Sequence, residues 1–387
     1  MTKDKDLKGA YNIKKRRLLI ISDTAMFRVE NEVFAFGPVV REVEAFKSLF
    51  CEITWIGFYR PEYENDQAFM KVDSNFVNTI MIAKSGGNSF FKKVAVLLKL
   101  PRMMKIIFPQ VVQHHVIHTR APSSPAFIGL FLSFVFRSKI WWHKYAGNWA
   151  QINPPFFYGL QIRCLKMARH TKVTINGFWP NQPAHCLSFE NPTITREEQL
   201  TGYEAISGKG DPPYNFCFVG RLETEKGLSI LLNALHQLKE NELFGELHIV
   251  GSGPLQALCL EYEKKYSSLI FHGSLSRSSL NLIYAKCHFL YLPSRAAEGF
   301  PKVIAEAANF GCIPILSKIS SISHYIFNGV NGFLLDDLQF TEDDIVNLTN
   351  KVISNKDLRK IALAAFEFSQ EFTYERYLNR IETEILG

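Results

Sequence analysis

An α/β fold of two doubly wound, Rossmann-like domains is what this sequence predicts, and three observations predict it. Short apolar segments alternate with amphipathic ones from end to end. A polar stretch with turn signals and no apolar period, 190–213, splits that alternation into two runs. At 387 residues, 47% of them hydrophobic, the chain is long for one core and ample for two.

The first run reads as strands at 16–22, 51–58, 76–83, 115–119, 139–146 and 172–177, with helical stretches such as 39–50 and 92–107 between them. The second reads as strands at 215–220, 246–251, 269–273, 287–293, 312–317 and 332–336. Its clearest helix is 228–238, where Leu228, Leu231, Leu232, Leu235 and Leu238 share one face. Apolar strands alternating with helices mean parallel sheets covered on both faces. Ligands of such sheets bind at the carboxyl ends of the strands, so the active cleft is expected there, between the two domains. A last helix, 374–386, is a candidate to cross back to the first domain.

Composition excludes several classes. The seven cysteines are scattered with no CxxC pair, which argues against a disulfide framework or a zinc site and for a reducing compartment. Residues 1–17 are polar and basic and the apolar run 18–22 is too short for a signal peptide. The longest apolar run, 125–136, has twelve residues, fewer than the roughly 20 that span a bilayer. It reads as a buried or interfacial helix.

Charge is uneven. Residues 1–200 hold 27 Lys+Arg against 15 Asp+Glu, and residues 201–387 hold 17 against 22. Between Asp73 and Glu190 there is no acidic residue, but 14 Lys/Arg and six His. Combined with the apolar, basic stretch 90–108, this points to an anionic membrane leaflet or an anionic acceptor as partner. No nucleic-acid-binding module is recognisable. The expected location is cytoplasmic, peripheral at the inner face of the membrane. The six histidines show no HxxxH or HExxH spacing, so no metal is expected.

Two motifs carry chemistry. Gly220, Arg221, Lys226 and Gly227 lie between a strand and the 228–238 helix. A helix N-terminus presents free N–H groups, and two cations beside it suit a diphosphate. Neither a P-loop nor a GxGxxG fingerprint is present. The second motif is EGFPKVIAE, in which Glu298 stands on a turn and Glu306 falls in the second turn of a helix, with Pro301 suited to its first position. Carboxylates at this sheet edge suit sugar and ribose hydroxyls. The glycine turn VGSGP (250–254) and the NG turn at Asn331 and Gly332 read as structural.

GRLETEKG, PSRAAEGFPKVIAEAANFGCIPILS and NGVNGFLLD together resemble the nucleotide-sugar domain of the retaining glycosyltransferases of family four, the glycosyl transferases group 1 domain of the GT-B architecture. The likeness is strong over about 215–340 and weak over the first domain. It implies domains at 1–195 (acceptor-binding) and 196–370 (nucleotide-sugar-binding), with 371–387 the crossing helix. It implies a sugar transfer from a nucleotide diphosphate to a glycan or lipid-linked hydroxyl in surface polysaccharide or lipopolysaccharide synthesis, without a cofactor. By this likeness Glu298 holds the donor sugar, Arg221 and Lys226 the diphosphate, and Glu306 the ribose. The backbone of Gly299, Phe300 and Pro301 faces the donor, and Ser274 and Leu275 lie near the base. Gly37 is the candidate in the first loop. The family's histidine near the reacting sugar falls on His143, or its place is taken by Gly147 or Asn148. His118 and Arg120 are further candidates for the acceptor or sugar side, or Arg120 for the leaving phosphate. A non-catalytic sugar-nucleotide binder and a sugar-nucleotide epimerase on the same scaffold are the alternatives.

Overall fold

The computed structural model describes residues 16–60, 69–84, 90–295, 299–336 and 339–387. The chain divides into two compact units: unit 1 is Met1–Glu190 with Arg376–Gly387, and unit 2 is Asn191–Glu375.

Unit 1 opens with β1 (Arg17–Val29), β2 (Glu32–Phe36), α1 (Gly37–Ala45), β3 (Glu52–Tyr59), β4 (Phe69–Lys71) and β5 (Val77–Ala83). It continues with α2 (Phe90–Gln113), β6 (Val116–Ala121), α3 (Ser124–Val135), β7 (Ile140–Tyr145), α4 (Phe156–Met167), β8 (Lys172–Ile175) and β9 (Cys186–Ser188). The parallel strands run β5-β3-β1-β6-β7-β8-β9, and β2 and β4 add an antiparallel flap to the far end of β1. One face packs α1 and the chain's last residues, with Phe46, Trp142, Tyr377, Ile381 and Ile385 in one buried cluster. The other face packs α2 and α3 through Met103, Ile107, Val111, Ile128 and Leu132. The apolar run 125–136 is thus largely a core helix, capped by the Ser123 hydroxyl, which accepts from Ala126 N–H at 3.2 Å. The stretch 90–108 is not uniformly exposed either, since Met103 and Ile107 are buried.

Unit 2 begins with α5 (Arg196–Gly208), inside the stretch whose sequence shows no apolar period. A capping box explains it: Thr195 and Glu198 each bond the other's backbone N–H. Then follow β10 (Tyr214–Val219), α6 (Leu228–Leu238), β11 (Phe244–Val250), α7 (Gln256–Lys265), β12 (Leu269–Gly273), α8 (Arg277–Lys286) and β13 (Phe289–Leu292). The remainder is α9 (Lys302–Asn309), β14 (Ile313–Ser317), β15 (Phe333–Leu335), α10 (Glu342–Ile353), α11 (Leu358–Ser369) and α12 (Tyr374–Arg380), the last crossing the boundary between units. The sheet order is β12-β11-β10-β13-β14-β15, all parallel, the doubly wound order in which the chain reverses its direction of travel between β10 and β13. The leucine face of α6 is buried in the core as its period requires. Both units are therefore doubly wound α/β sheets, as the sequence predicts.

Candidate functional site

The reversal in unit 2 opens a crevice at the carboxyl ends of β10 and β13, and the described parts of both sequence motifs converge there. After β10 the backbone turns at Gly220, whose N–H donates to Val250 O at 3.1 Å. The glycine turn after β11 packs directly against it: a Cβ on Gly251 would stand 1.9 Å from Gly220 O. Leu222 N–H donates to Ser252 O at 2.9 Å, so VGSGP is structural, holding the turn in front of it. A short 3-10 turn, Thr224–Lys226, then leads through Gly227 into α6. Gly227 has φ 74°, and a Cβ there would meet Pro293 O at 1.9 Å. Arg295 N–H donates to Glu225 O at 2.7 Å, and the Ser294 hydroxyl to the same oxygen at 3.3 Å. The cationic turn is thereby fastened to the loop leaving β13. That loop continues into Ala296, Ala297 and Glu298, so the first glutamate of the pair lies outside the described residues.

Arg221 is exposed and paired with Glu223 at 2.7 Å; Lys226 is half-buried on the same turn. Gly299 O accepts from the Ser321 hydroxyl at 3.2 Å. The Phe300 ring turns inward, stacked on Phe372 at 4.8 Å and edge-on to Tyr325 at 5.0 Å, so only its backbone remains for a ligand. Pro301 is the residue before α9, with ψ 119°, rather than its first helical residue. Ser274 and Leu275 form the turn after β12, and Leu275 also packs against the core.

Glu306 is 6% exposed on α9. Its Oε1 receives Arg277 Nη1 at 2.7 Å and the Thr193 hydroxyl; the Tyr284 hydroxyl stands 3.5 Å from Oε2. Arg277 also gives Nε to Glu198 at 2.6 Å and Nη2 to Thr193 O at 3.1 Å. Burial alone would lower the guanidinium's pKa, but the Glu306 and Glu198 charges outweigh it and hold the pKa well above its ordinary value. Burial raises the Glu198 carboxyl while Arg277 more than reverses it, for a net lowering. Arg277 is the residue that sequence reasoning missed. Its partners are far away in sequence, Glu198 by 79 positions, and no local spacing announces them.

Unit 1 receives the remaining candidates. Gly37 is the first residue of α1 and buried, not part of an open loop. His143 lies in mid-strand on β7, fully buried, with Nδ1 2.7 Å from the Thr119 hydroxyl. Burial and the neighbouring His170 and His185 lower its pKa to about 3. His118 is equally buried, stacked on Trp142 at 3.8 Å. Neither ring reaches a surface of unit 1, so neither is placed to touch a sugar there. Both are packed, neutral core histidines. Asn148 lies just beyond the end of β7, its side chain accepting from Ala150 N–H at 3.1 Å. Arg120, on β6, donates to Glu42 Oε1 at 2.9 Å. Among the described residues no cluster of His, Cys, Asp and Glu could hold a metal ion, and no helix is long and apolar enough to cross a membrane.

Residues 203–364 match the family described as Glycosyl transferases group 1. Unit 2 carries a glycosyltransferase group 1 domain. The matched stretch contains the cationic turn, the Ser274–Arg277 turn and α9. Thr193 and Glu198, which brace Glu306, precede it. Lipopolysaccharide 1,2-N-acetylglucosaminetransferase of Salmonella typhimurium is 27% identical over 180 residues, 43% of this chain and 47% of that protein. The chain spans about half the length of the first curated relatives it matches. In structure, the sucrose-phosphate synthase of Thermosynechococcus elongatus aligns with a TM-score of 0.64 at 18% identity, covering 95% of this chain and 97% of that one. HepE of Anabaena, solved in complex with UDP, aligns at 0.62 with 15% identity, covering 95% and 98%. These similarities show that the glycosyltransferase domain and the unit before it share one fold with both proteins.

Proposed function

We propose that this chain is a retaining glycosyltransferase, which moves a sugar from a nucleotide diphosphate to a hydroxyl of a glycan or lipid-linked acceptor in lipopolysaccharide or other surface polysaccharide synthesis. One observation carries the reading: the turn bearing Arg221 and Lys226 is bonded to the loop leaving β13 at the switch point of a glycosyltransferase group 1 domain. The UDP in complex with the Anabaena protein and the activity named for the Salmonella relative support the donor and acceptor classes.

On this reading the diphosphate lies against Arg221, Lys226 and the N-terminus of α6. The bond from the anomeric carbon to the phosphate oxygen breaks, and negative charge grows on the leaving diphosphate. Fixed cations and N–H groups stabilise that charge without reorganising, an effect typically worth several kcal/mol per donor. The acceptor oxygen bonds to the anomeric carbon on the same face, and its proton passes to the departing phosphate oxygen. Glu298 orients the sugar. Glu306 meets the ribose, since its Oε2 has a hydrogen-bond neighbour only at the outer distance limit and a carboxyl oxygen can accept more than one bond. No divalent metal is required, because the two cations serve the diphosphate.

A basic, apolar face of unit 1 supports attachment to an anionic leaflet. On α2, Lys99, Arg102 and Lys105 are exposed, followed by Phe108 at 44% and Val112 at 50% exposure; on α3, Phe131 and Val135 are exposed. The deciding experiment is a donor screen for released nucleoside diphosphate, with lipid-linked and oligosaccharide acceptors and with EDTA present. Release from one donor, lost in Glu298→Gln with nucleotide binding retained, is expected. Silence from every common donor refutes the enzyme.

A further inference from the structure

The acid-free span 74–189 makes the first unit look bare of carboxylates, yet the fold carries one to its switch point from outside that span. In unit 1 the chain reverses between β1 and β6. Their pairing ends at Ile21 with Thr119, so Asp23, midway along β1, and Arg120, near the end of β6, come just past its last rung, on the edge of the sheet where doubly wound folds bind ligands. Asp23 stands on a bulge, where the pairing of β1 with β3 shifts register between Ile21 and Ala25. Bulges of this kind re-aim a side chain.

The bulge is wired from beneath. The buried Ser22 hydroxyl donates to Ile56 O at 3.1 Å and accepts from Trp55 Nε1 at 3.0 Å and Thr24 N–H at 3.3 Å. Gly57 makes room for it: a Cβ there would meet Thr24 O at 2.7 Å. The Asp23 side chain is exposed, and yet the surrounding protein desolvates its carboxyl and raises its pKa, against the pull of its own backbone hydrogen bond and Arg120. Arg120 is fixed beside it by Glu42, which is fully buried and also receives Lys144 Nζ at 2.6 Å and the Tyr377 hydroxyl at 2.8 Å.

We propose that Asp23, with Arg120 beside it, forms a sugar-binding site at the switch point of unit 1, in which the carboxylate accepts hydrogen bonds from hydroxyls of the acceptor. A carboxylate next to a guanidinium matches adjacent hydroxyls, one donating and one accepting, whereas a phosphate placed there would be repelled by Asp23. The proposal rests on the glycosyl-transfer reading and names the residues that hold its second substrate.

Saturation-transfer NMR on the full chain tests it, with glucose, galactose, N-acetylglucosamine and lactose as millimolar probes and calorimetric titration of UDP, GDP and ADP alongside. Transfer to at least one sugar is expected. It should fall at least fivefold in Asp23→Asn and in Asp23→Ala and persist in Asp73→Asn, with nucleotide binding unchanged in all three. A carboxylate that merely balanced local charge would leave the sugar signal intact on substitution. Nucleotide binding with no sugar signal in the unaltered chain, or an undiminished signal in both Asp23 variants, overturns this site alone. Absence of binding to any nucleotide overturns the glycosyl-transfer reading beneath it.

Discussion

At residue scale, Arg277 connects two carboxylates, one buried and one partly buried, whose other partners are neutral donors. Removing one member of a buried ion network typically costs about 3–5 kcal/mol, because the partner charge is left desolvated. Arg277→Ala is therefore expected to lower the denaturant-unfolding stability by an amount of that order and to weaken nucleotide binding through the loss of Glu306's fixed position. Unchanged stability would show that the network is relaxed in solution. His143 makes the opposite kind of statement, a group held uncharged. Its pKa in the folded chain, about 3, lies below the ordinary 6.5 that applies when unfolded. The unfolded chain then binds the extra proton first, so stability is full above 6.5 and is lost as pH falls toward 3. His143→Asn should flatten the acid side of a melting-temperature profile. An equally steep profile would assign the acid loss to other groups, such as His118, whose pKa burial also lowers.

At the scale of elements, two glycine turns and a strand end form one unit. Gly227→Ala would place a methyl against Pro293 O in a left-handed conformation and push the cationic turn off the β13 loop. A cost of more than about 1 kcal/mol is expected from the backbone conformation alone. Calorimetry should show weaker nucleotide binding, with the strands of the unit 2 sheet undisturbed in hydrogen exchange. Full affinity would mean the fastening is irrelevant to the ligand. The same elements show what can be read from a sequence. Twelve of the thirteen parallel strands described are legible because each holds a short apolar run between turn residues, and α6 because five leucines share its face; β9, three residues long, is not. The β2 flap is not, because its turn at Glu30 and Asn31 lacks glycine, Glu30 taking φ 53° instead. The α5 helix hides behind weak amphipathicity, although its TxxE capping box was available as a signal. Cationic turn and glutamate helix are legible as motifs. Arg277 and Asp23 are not, since each acquires meaning only from strands and helices that the fold brings beside it.

At the scale of the whole molecule, the basic half and its exposed Phe108, Val112, Phe131 and Val135 favour an anionic surface. Vesicles rich in phosphatidylglycerol should co-sediment the chain at low salt and release most of it at about 1 M salt, where the screening length is about 3 Å. Failure to bind at low salt would remove the membrane from the proposal. The division of the chain has another consequence. Unit 2 is an insertion within unit 1, because Tyr377, Ile381 and Ile385 complete the cluster around Phe46 and Trp142, and the Tyr377 hydroxyl reaches Glu42. A ribosome delivers every residue of unit 2 before those that close unit 1. Unit 1 therefore cannot complete its core until unit 2 has been synthesised, and until then the aromatic cluster around Phe46 and Trp142 lacks Tyr377, Ile381 and Ile385.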